Sequence, residues 1–409
     1  MQVSSASALS VEALSAPEFT VEVVSREESF LALGPIWNRL VDESAIDHPF
    51  LSHEWTLAWW QAFGAGKELR VLVVKLGAKV VAIAPLMLTR GRLYGLKFRK
   101  LEFLSNVHSP RCDFIIAHYP DEAYEALRKW LAGHRKQWDV LQLCHLPSSS
   151  RTLEELPRMA AAGRFLTGTW HSEDSPYVEF GDGWSAYSKR LSSHHRSQMR
   201  YDLKKLGRLG AVELELVSRN DITDALQDGF RIEAAAWKAK AGTAILCRRD
   251  LLQFYTRIAE EFGRLGILHL MFLKLGGKRI AFAYGLCYKN KLYVLKTGYQ
   301  PEYAPYSPYQ LLCYLLFQDA CERGIDEYEF LGSDTSWKRH WTKKTKPHDW
   351  LYVLPMRFRT LIVHSVKFRV IRTLQRHPLY ISARNVGLNM RSRVSSFLWN
   401  LKPRLFRHG

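Results

Sequence analysis

The chain has 409 residues, 47% hydrophobic and 12% aromatic, with 58 Lys or Arg against 40 Asp or Glu. That length suits two or three domains, and that apolar fraction excludes a chain disordered throughout. The formal net charge of +18 is concentrated at one end: residues 355–409 hold 12 Lys or Arg and no Asp or Glu, which leaves 46 basic against 40 acidic residues, +6, in residues 1–354. So balanced a body argues against a nucleic-acid-binding protein, which needs a basic surface for the phosphate backbone.

Residues 1–18 read as a disordered lead-in, with neither the basic nor the apolar region of a secretory signal. Residues 53–63 (HEWTLAWWQAF) predict a helix, and runs 69–76 and 79–88 predict a hairpin turned at Gly77. Lys75 and Lys79 interrupt the longest apolar stretch, so no run approaches the ~20 residues of a membrane helix. A strand near 100–104, a loop (SNVHSPRC), a strand 113–117, a helix 121–133 and a strand 139–146 complete a first domain over 19–150. Pro147–Arg151 (PSSSR) reads as a turn or linker. The second domain, 151–354, carries helical patterns over 184–207, a strand 212–217 and a helix 221–239. A hairpin 268–288, a strand 291–297, a helix 308–323 and a strand 326–331 follow.

In the tail, 355–409, Val394, Phe397, Leu398 and Leu401 recur at i, i+3, i+4 and i+7 among Arg391, Arg393, Lys402, Arg404 and Arg407. A basic amphipathic helix of this kind suits peripheral contact with an anionic membrane surface. The six cysteines show no CxxC pair and no metal-ligand spacing. They read as small apolar fillers in a reducing cytoplasm, and no metal is expected. The basic helix SHHRSQMRYDLKKLGRLG reads as a solvated face.

Residues 73–84 (VVKLGAKVVAIA) echo residues 272–283 (FLKLGGKRIAFA), 199 positions on. Each copy is a strand–turn–strand followed later by a helix and a strand. The expected architecture is therefore α+β with mixed sheets, in two related halves.

In the second half, the loop TGYQPEYAPYSP leads into a helix with Ser307 as its cap and Pro308 at its first position. Such a helix start offers free N–H groups to a pyrophosphate. HEWTLAWWQAFG (53–64), VAIAPLML (81–88), IEAAAWKAKAGTAI (232–245), KTGYQPEYAPYSPYQLL (296–312) and EYEFLGSDTSWKRHW (327–341) stand in an order and spacing that resembles the BioF2-like, or CelD-like, branch of the GNAT acyltransferase superfamily. That branch is related to the Fem aminoacyl transferases. One departure is Tyr309, where the family often has Gly.

The resemblance implies two tandem GNAT-like domains and a cleft between splayed strands that holds acetyl-CoA or another acyl donor. It places the pantetheine arm along Ile280, Ala281 and Tyr284, and the pyrophosphate at Ser307, Tyr309, Gln310 and Leu311. Glu233 would act as base, Tyr299 or Tyr303 as acid, and Lys338 would meet the acceptor. Trp237, Lys238, Gly242, Thr243, Asp334 and Trp337 would line the acceptor side. By residue chemistry alone, Glu233 fits a solvated helix equally, Trp237 and the tyrosines fit packing, Lys338 fits a surface charge, and Asp334 fits turn chemistry. The implied activity is acyl transfer to an amine or hydroxyl, on a small molecule or a precursor of exopolysaccharide, cellulose or cell envelope, in the cytoplasm. Aminoacyl transfer from charged tRNA and a non-catalytic binding module are the alternatives.

Overall fold

The computed structural model describes residues 18–162, 164–217, 221–235 and 242–373. Trp237, Lys238 and the Val394–Leu401 stripe lie outside them. The first half opens with β1 (Phe19–Val24), α1 (Glu27–Ala32), α2 (Gly34–Glu43) and α3 (His53–Phe63). Ser52 Oγ caps α3 by accepting the Trp55 N–H at 3.3 Å, which satisfies one orphan donor of the first turn. Next come β2 (Glu68–Leu69), β3 (Val71–Leu76) and β4 (Lys79–Ala84). The predicted second arm of this hairpin is in fact two strands. The chain breaks at Pro85 and enters β5 (Leu86–Leu93) and β6 (Leu96–Phe103), a second hairpin. β7 (Ile115–Ile116), α4 (Pro120–Gly133), β8 (Val140–Pro147) and the 15-residue β9 (Phe165–Glu179) follow.

The second half begins with α5 (Trp184–Arg190) and α6 (Ser193–Gly207), where one pattern was predicted. The break lies at Ser192, whose Oγ accepts the His195 N–H at 3.1 Å and starts a new helix. β10 (Val212–Leu216), α7 (Ile222–Ala234) and α8 (Arg249–Arg264) come next, then β11 (Leu268–Leu275), β12 (Lys278–Tyr288), β13 (Lys291–Tyr299) and α9 (Pro308–Glu322). β14 (Glu327–Glu329), β15 (Thr345–Pro355), α10 (Phe358–Ser365) and a π-helical turn (Val366–Ile371) complete the described chain.

Two sheets form. One has the order β1-β3-β4-β7, and the other runs β10-β11-β12-β13-β14-β9-β15-β8-β6-β5-β2. The larger sheet is continuous because β9 pairs with β15 over Phe165–Pro176 and with β14 over Tyr177–Glu179. β15, late in the chain, lies between β9 and β8 of the first half.

The sequence echo is also a structural one. In β3–β4, Leu72 faces Ala84, Val73 faces Ile83 and Val74 faces Ala82, with a register shift between Val74 and Lys75. In β11–β12, Met271 faces Ala283, Phe272 faces Phe282 and Leu273 faces Ala281, with the shift between Leu273 and Lys274. Every pair and the shift itself repeat at the same spacing of 199 residues that separates the two sequences. An irregularity of the ladder has no reason to recur at one position in two unrelated hairpins.

The halves share a core. Trp55 of α3 meets Phe254 and Phe262 of α8, with ring centroids 5.2 and 6.4 Å apart, and Phe50 meets Tyr293 of β13 at 5.3 Å. All five rings are buried. The cysteines are unpaired; Cys112 and Cys313 are buried as expected, but Cys247 is exposed.

Candidate active site

One opening in the sheet is a fork. β13 runs parallel to β14 only over Lys291–Tyr293, opposite Glu327–Glu329. From Val294 to Tyr299 it pairs with β12 alone, so one edge of its backbone carries no strand among the described residues. β13 is also bulged there: Tyr284 faces Lys296 and Gly285 faces Val294, leaving Leu295 over. A bulge of this kind re-aims the residues beside it.

One face of the fork is closed by α7. A Cβ on Gly298 would stand 2.6 Å from the Cα of Glu233, so the helix backbone rests directly on this glycine. Glu233 is buried, and its Oε2 accepts the Ile245 N–H at 3.1 Å. It thereby ties down the chain that returns through Gly242 (φ +66°) and Thr243, both exposed.

A second group reaches the same face from the first half. His108 Nδ1 lies 3.4 Å from the Tyr255 hydroxyl and 3.5 Å from Lys296 Nζ, and the Lys296 ammonium lies 5.1 Å over the Tyr255 ring. Burial, then Lys296 and Arg248, hold the His108 pKa down to about 3. The ring is neutral at physiological pH; with Nδ1 accepting from its neighbours, the proton sits on Nε2.

Where β13 and β14 part, the junction is ionic and buried. Arg111 Nη2 donates to Glu329 Oε1 at 2.6 Å, and Lys346 Nζ donates to the same oxygen at 2.7 Å and to Glu327. Arg111 Nε lies 3.3 Å from His348 Nε2, and the guanidinium lies 5.5 Å over Tyr293. Burial pushes the Glu329 carboxyl up, but Arg111, Glu327 and Lys346 outweigh it and hold it below the usual range. Burial and the hydrogen bond to Glu329 raise Glu327.

The start of α9 departs from expectation. Ser307 is left-handed (φ +52°) and its side chain caps nothing. Its N–H is used by the Ala304 carbonyl at 3.1 Å, closing the 3-10 turn Pro301–Tyr306, so the chain must reverse at Ser307 to enter the helix. Tyr309 and Gln310 then contribute first-turn N–H groups that lack a helix partner. The Tyr309 ring packs edge-on against Trp337 at 5.5 Å and its hydroxyl lies 3.2 Å from that of Tyr328, so its bulk is drawn toward the core. Gln310 Oε1 accepts the Trp341 indole N–H at 2.7 Å, and Leu311 is wholly buried.

Ile280, Ala281 and Tyr284 lie in β12. β12 is internal, with Ala281 facing Leu273 on one side and Tyr299 on the other. Both edges of its backbone are used, whereas beyond Tyr293 β13 has a described strand on one side only.

Tyr299 and Tyr303 pack beside the α9 core, on the opposite side of β13 from Glu233, and Lys278 lies over the Tyr303 ring at 5.5 Å. Lys338 is buried and turned inward: its Nζ donates to the carbonyls of Leu331 at 2.6 Å and Ser333 at 2.9 Å. Burial lowers its pKa to about 8. Asp334 accepts from Arg339 Nε at 2.9 Å. Trp337 and Trp341 belong to an aromatic cluster with Tyr309, Phe317 and Phe330.

Sequence reasoning did not place Lys296, Tyr255, His108, Arg111 or Glu329 at the site. Residues 188 apart meet at His108–Lys296 and 218 apart at Arg111–Glu329, and no local pattern carries such pairings.

Residues 193–339 match the family described as acetyltransferase (GNAT) domain. That span includes α6, the fork and the start of α9. The crystal structure of FemX superposes with a TM-score of 0.52 at 13% identity, covering 81% of this chain and 98% of that one. The C-terminal domain of a provisionally assigned lysylphosphatidylglycerol synthetase from Agrobacterium fabrum superposes with a TM-score of 0.50 at 13% identity, covering 82% and 96%. A protein of unknown function from Bacteroides thetaiotaomicron gives 0.52 at 12% identity, covering 82% and 100%. At such identities the likeness shows the fold alone. No curated protein sequence matches the chain. The fold is thus mixed α/β with GNAT-like halves in tandem, and the second half carries the GNAT acetyltransferase match.

Proposed function

We propose that the chain is an acyltransferase of the CelD-like kind, moving an acyl group, most simply acetyl from acetyl-CoA, to an amine or hydroxyl acceptor. The observation that carries this reading is the edge of β13 from Val294 to Tyr299, which no described strand covers and which lies between a bulge and the start of α9. An extended pantetheine arm can pair with that edge as a strand would, while the Tyr309 and Gln310 N–H groups face the pyrophosphate.

The acceptor nitrogen or oxygen attacks the thioester carbon, the C–S bond breaks, and the thiolate takes a proton. The acceptor's own proton passes to a base. Glu233, buried beside that edge, is the candidate base. Backbone N–H groups at the bulge suit the developing oxyanion. A sugar or envelope precursor is the acceptor class we favour, with the enzyme cytoplasmic. Among the described residues, no helix is long and apolar enough to cross a membrane.

Calorimetry tests the reading. Acetyl-CoA binding at one site in the micromolar range supports it; no binding of any acyl-CoA, with salt-sensitive binding of charged tRNA, favours aminoacyl transfer, the reading that the FemX-like fold keeps open. Binding of neither favours a non-catalytic module. Mass spectrometry of lysate products after incubation with labelled acetyl-CoA identifies the acceptor.

A further inference from the structure

α10 and the turn after it lie across β9 and β15 with one side docked. Thr360 and Val363 are buried, and His364 Nε2 is 2.9 Å from the Thr167 carbonyl. Phe368 sits over Gly168, where a Cβ would come within 2.6 Å of its ring. The outer side is bare: Phe358 is 79% exposed and Val370 51%, and Met356, Leu361 and Ile362 are exposed as well.

This ridge continues into the tip of the β5–β6 hairpin. The Arg359 guanidinium donates to the Lys97 carbonyl and lies 5.1 Å over the Phe98 ring. At the tip Arg92, Tyr94 and Lys97 are exposed, and the Arg90 side chain is 82% exposed. Arg369 and Arg372 flank the far end of the ridge. Scattered exposed apolar side chains are ordinary, but a run of them on one ridge framed by cations marks an interaction surface.

Charge selects the occupant. Residues 374–409 carry Lys and Arg and no acidic residue, so folding that segment back onto a basic ridge is opposed by like charge, as is pairing with the same ridge of a second copy. A nucleic acid would use the cations but leave Phe358, Leu361, Ile362 and Tyr94 with nothing apolar to meet. A bilayer with anionic headgroups satisfies both parts: its phosphates face the guanidinium and ammonium groups, and its interface takes the aromatic and aliphatic side chains. We propose that α10, the turn after it and the β5–β6 tip form a docking surface for an anionic phospholipid bilayer. This surface is distinct from the fork and does not depend on the acyltransferase reading.

The test is co-sedimentation of the full chain with vesicles of phosphatidylglycerol and phosphatidylcholine. Binding is expected to fall about tenfold or more when phosphatidylglycerol is omitted, or when salt rises from roughly 0.1 M to 1 M. Phe358→Ser with Leu361→Ser and Ile362→Ser, and separately Arg92→Glu with Lys97→Glu, should each weaken it about tenfold with circular dichroism and melting unchanged, because these side chains are exposed. Four results overturn the proposal: no vesicle binding, wild-type binding by both ridge variants, loss only in Arg391→Glu with Arg393→Glu, or retention by tRNA without retention by vesicles.

Discussion

In the first half, Tyr119 turns the chain through the left-handed region (φ +49°) into Pro120, Asp121 and Glu122 at the start of α4. In the second half, Ser307 (φ +52°) turns it into Pro308, Tyr309 and Gln310 at the start of α9. The backbone device is the same, a left-handed residue followed by proline at the first helical position. The charge is opposite in consequence. Two carboxylates stabilise α4 through its dipole, but they also repel any anion that approaches its free N–H groups. The α9 start has no carboxylate in its first turn.

The openings differ in the same sense. The first half has a cleft of about 480 Å³ beside α4, lined by Asp47, His48, Asp113, Pro120, Tyr124 and Arg151, with two carboxylates among them. In the second half no described strand covers one side of β13 beyond Tyr293, beside Lys296. A repeated turn thus leaves one helix start free of carboxylates and gives the other two, while the first half contributes His108 and Arg111 to the fork.

That division can be broken from its strongest joint downward. Arg111→Ala removes the first-half cation from Glu329, which is 0% exposed, and should cost about 3 kcal/mol in chemical denaturation, Lys346 remaining as a lesser partner. If the halves were independent, the loss would be near zero. Gly298→Ala drives a methyl into the α7 backbone and should cost about 2–3 kcal/mol, together with donor binding; unchanged melting would remove the close approach from the account.

Both halves also bury neutral imidazoles. His48, His53, His108, His145, His195, His269 and His348 all have pKa values lowered from 6.5, chiefly by burial. Below pH 6.5 the unfolded chain binds more protons than the folded one. Stability present at pH 7 is therefore lost as pH falls from 6.5 toward the folded values of about 3 to 4 at His48, His108, His195 and His348. The loss should be at least about 1 kcal/mol per pH unit, read from melting between pH 7 and pH 5. A flat profile would mean that the imidazoles are solvated.

The repeated turn gives the smallest effect and the cleanest symmetry. Gly77 (φ +58°) and Gly276 (φ +55°) hold equivalent positions in the two hairpins, and Gly→Ala at either should cost about 1 kcal/mol. Unequal costs would argue that the turns are not equivalent.

Much of this was legible beforehand. The helices at 53–63, 121–133 and 308–323 and the hairpin 268–288 were marked by apolar period and turn glycines, and each lies within about two residues of its predicted span, whereas the second arm of the first hairpin ends at Ala84, short of the predicted 88. α8 was missed although Leu251, Phe254, Tyr255, Ile258 and Phe262 recur at helical spacing, so that signal was present in the sequence. β9 and β15 were missed because they pair with strands far away in the chain, and β15, late in the second half, pairs with β8 of the first. Which strand of a hairpin lies inside the sheet likewise depends on partners that a local pattern does not name. Lys338, read as pointing at the acceptor, satisfies two carbonyls of its own loop, since a buried ammonium needs acceptors wherever the fold supplies them.

The contrast between the two helix starts is tested most directly by Gln310→Glu, which copies the Glu122 of α4 onto α9. A glutamate at this position still accepts from Trp341 and favours the helix dipole, so melting should hold or rise slightly. Titration calorimetry should show acetyl-CoA bound at one site by the wild-type chain and about tenfold more weakly by Gln310→Glu, roughly 1.4 kcal/mol. Equal affinity for the two proteins would contradict the assignment of the donor to α9.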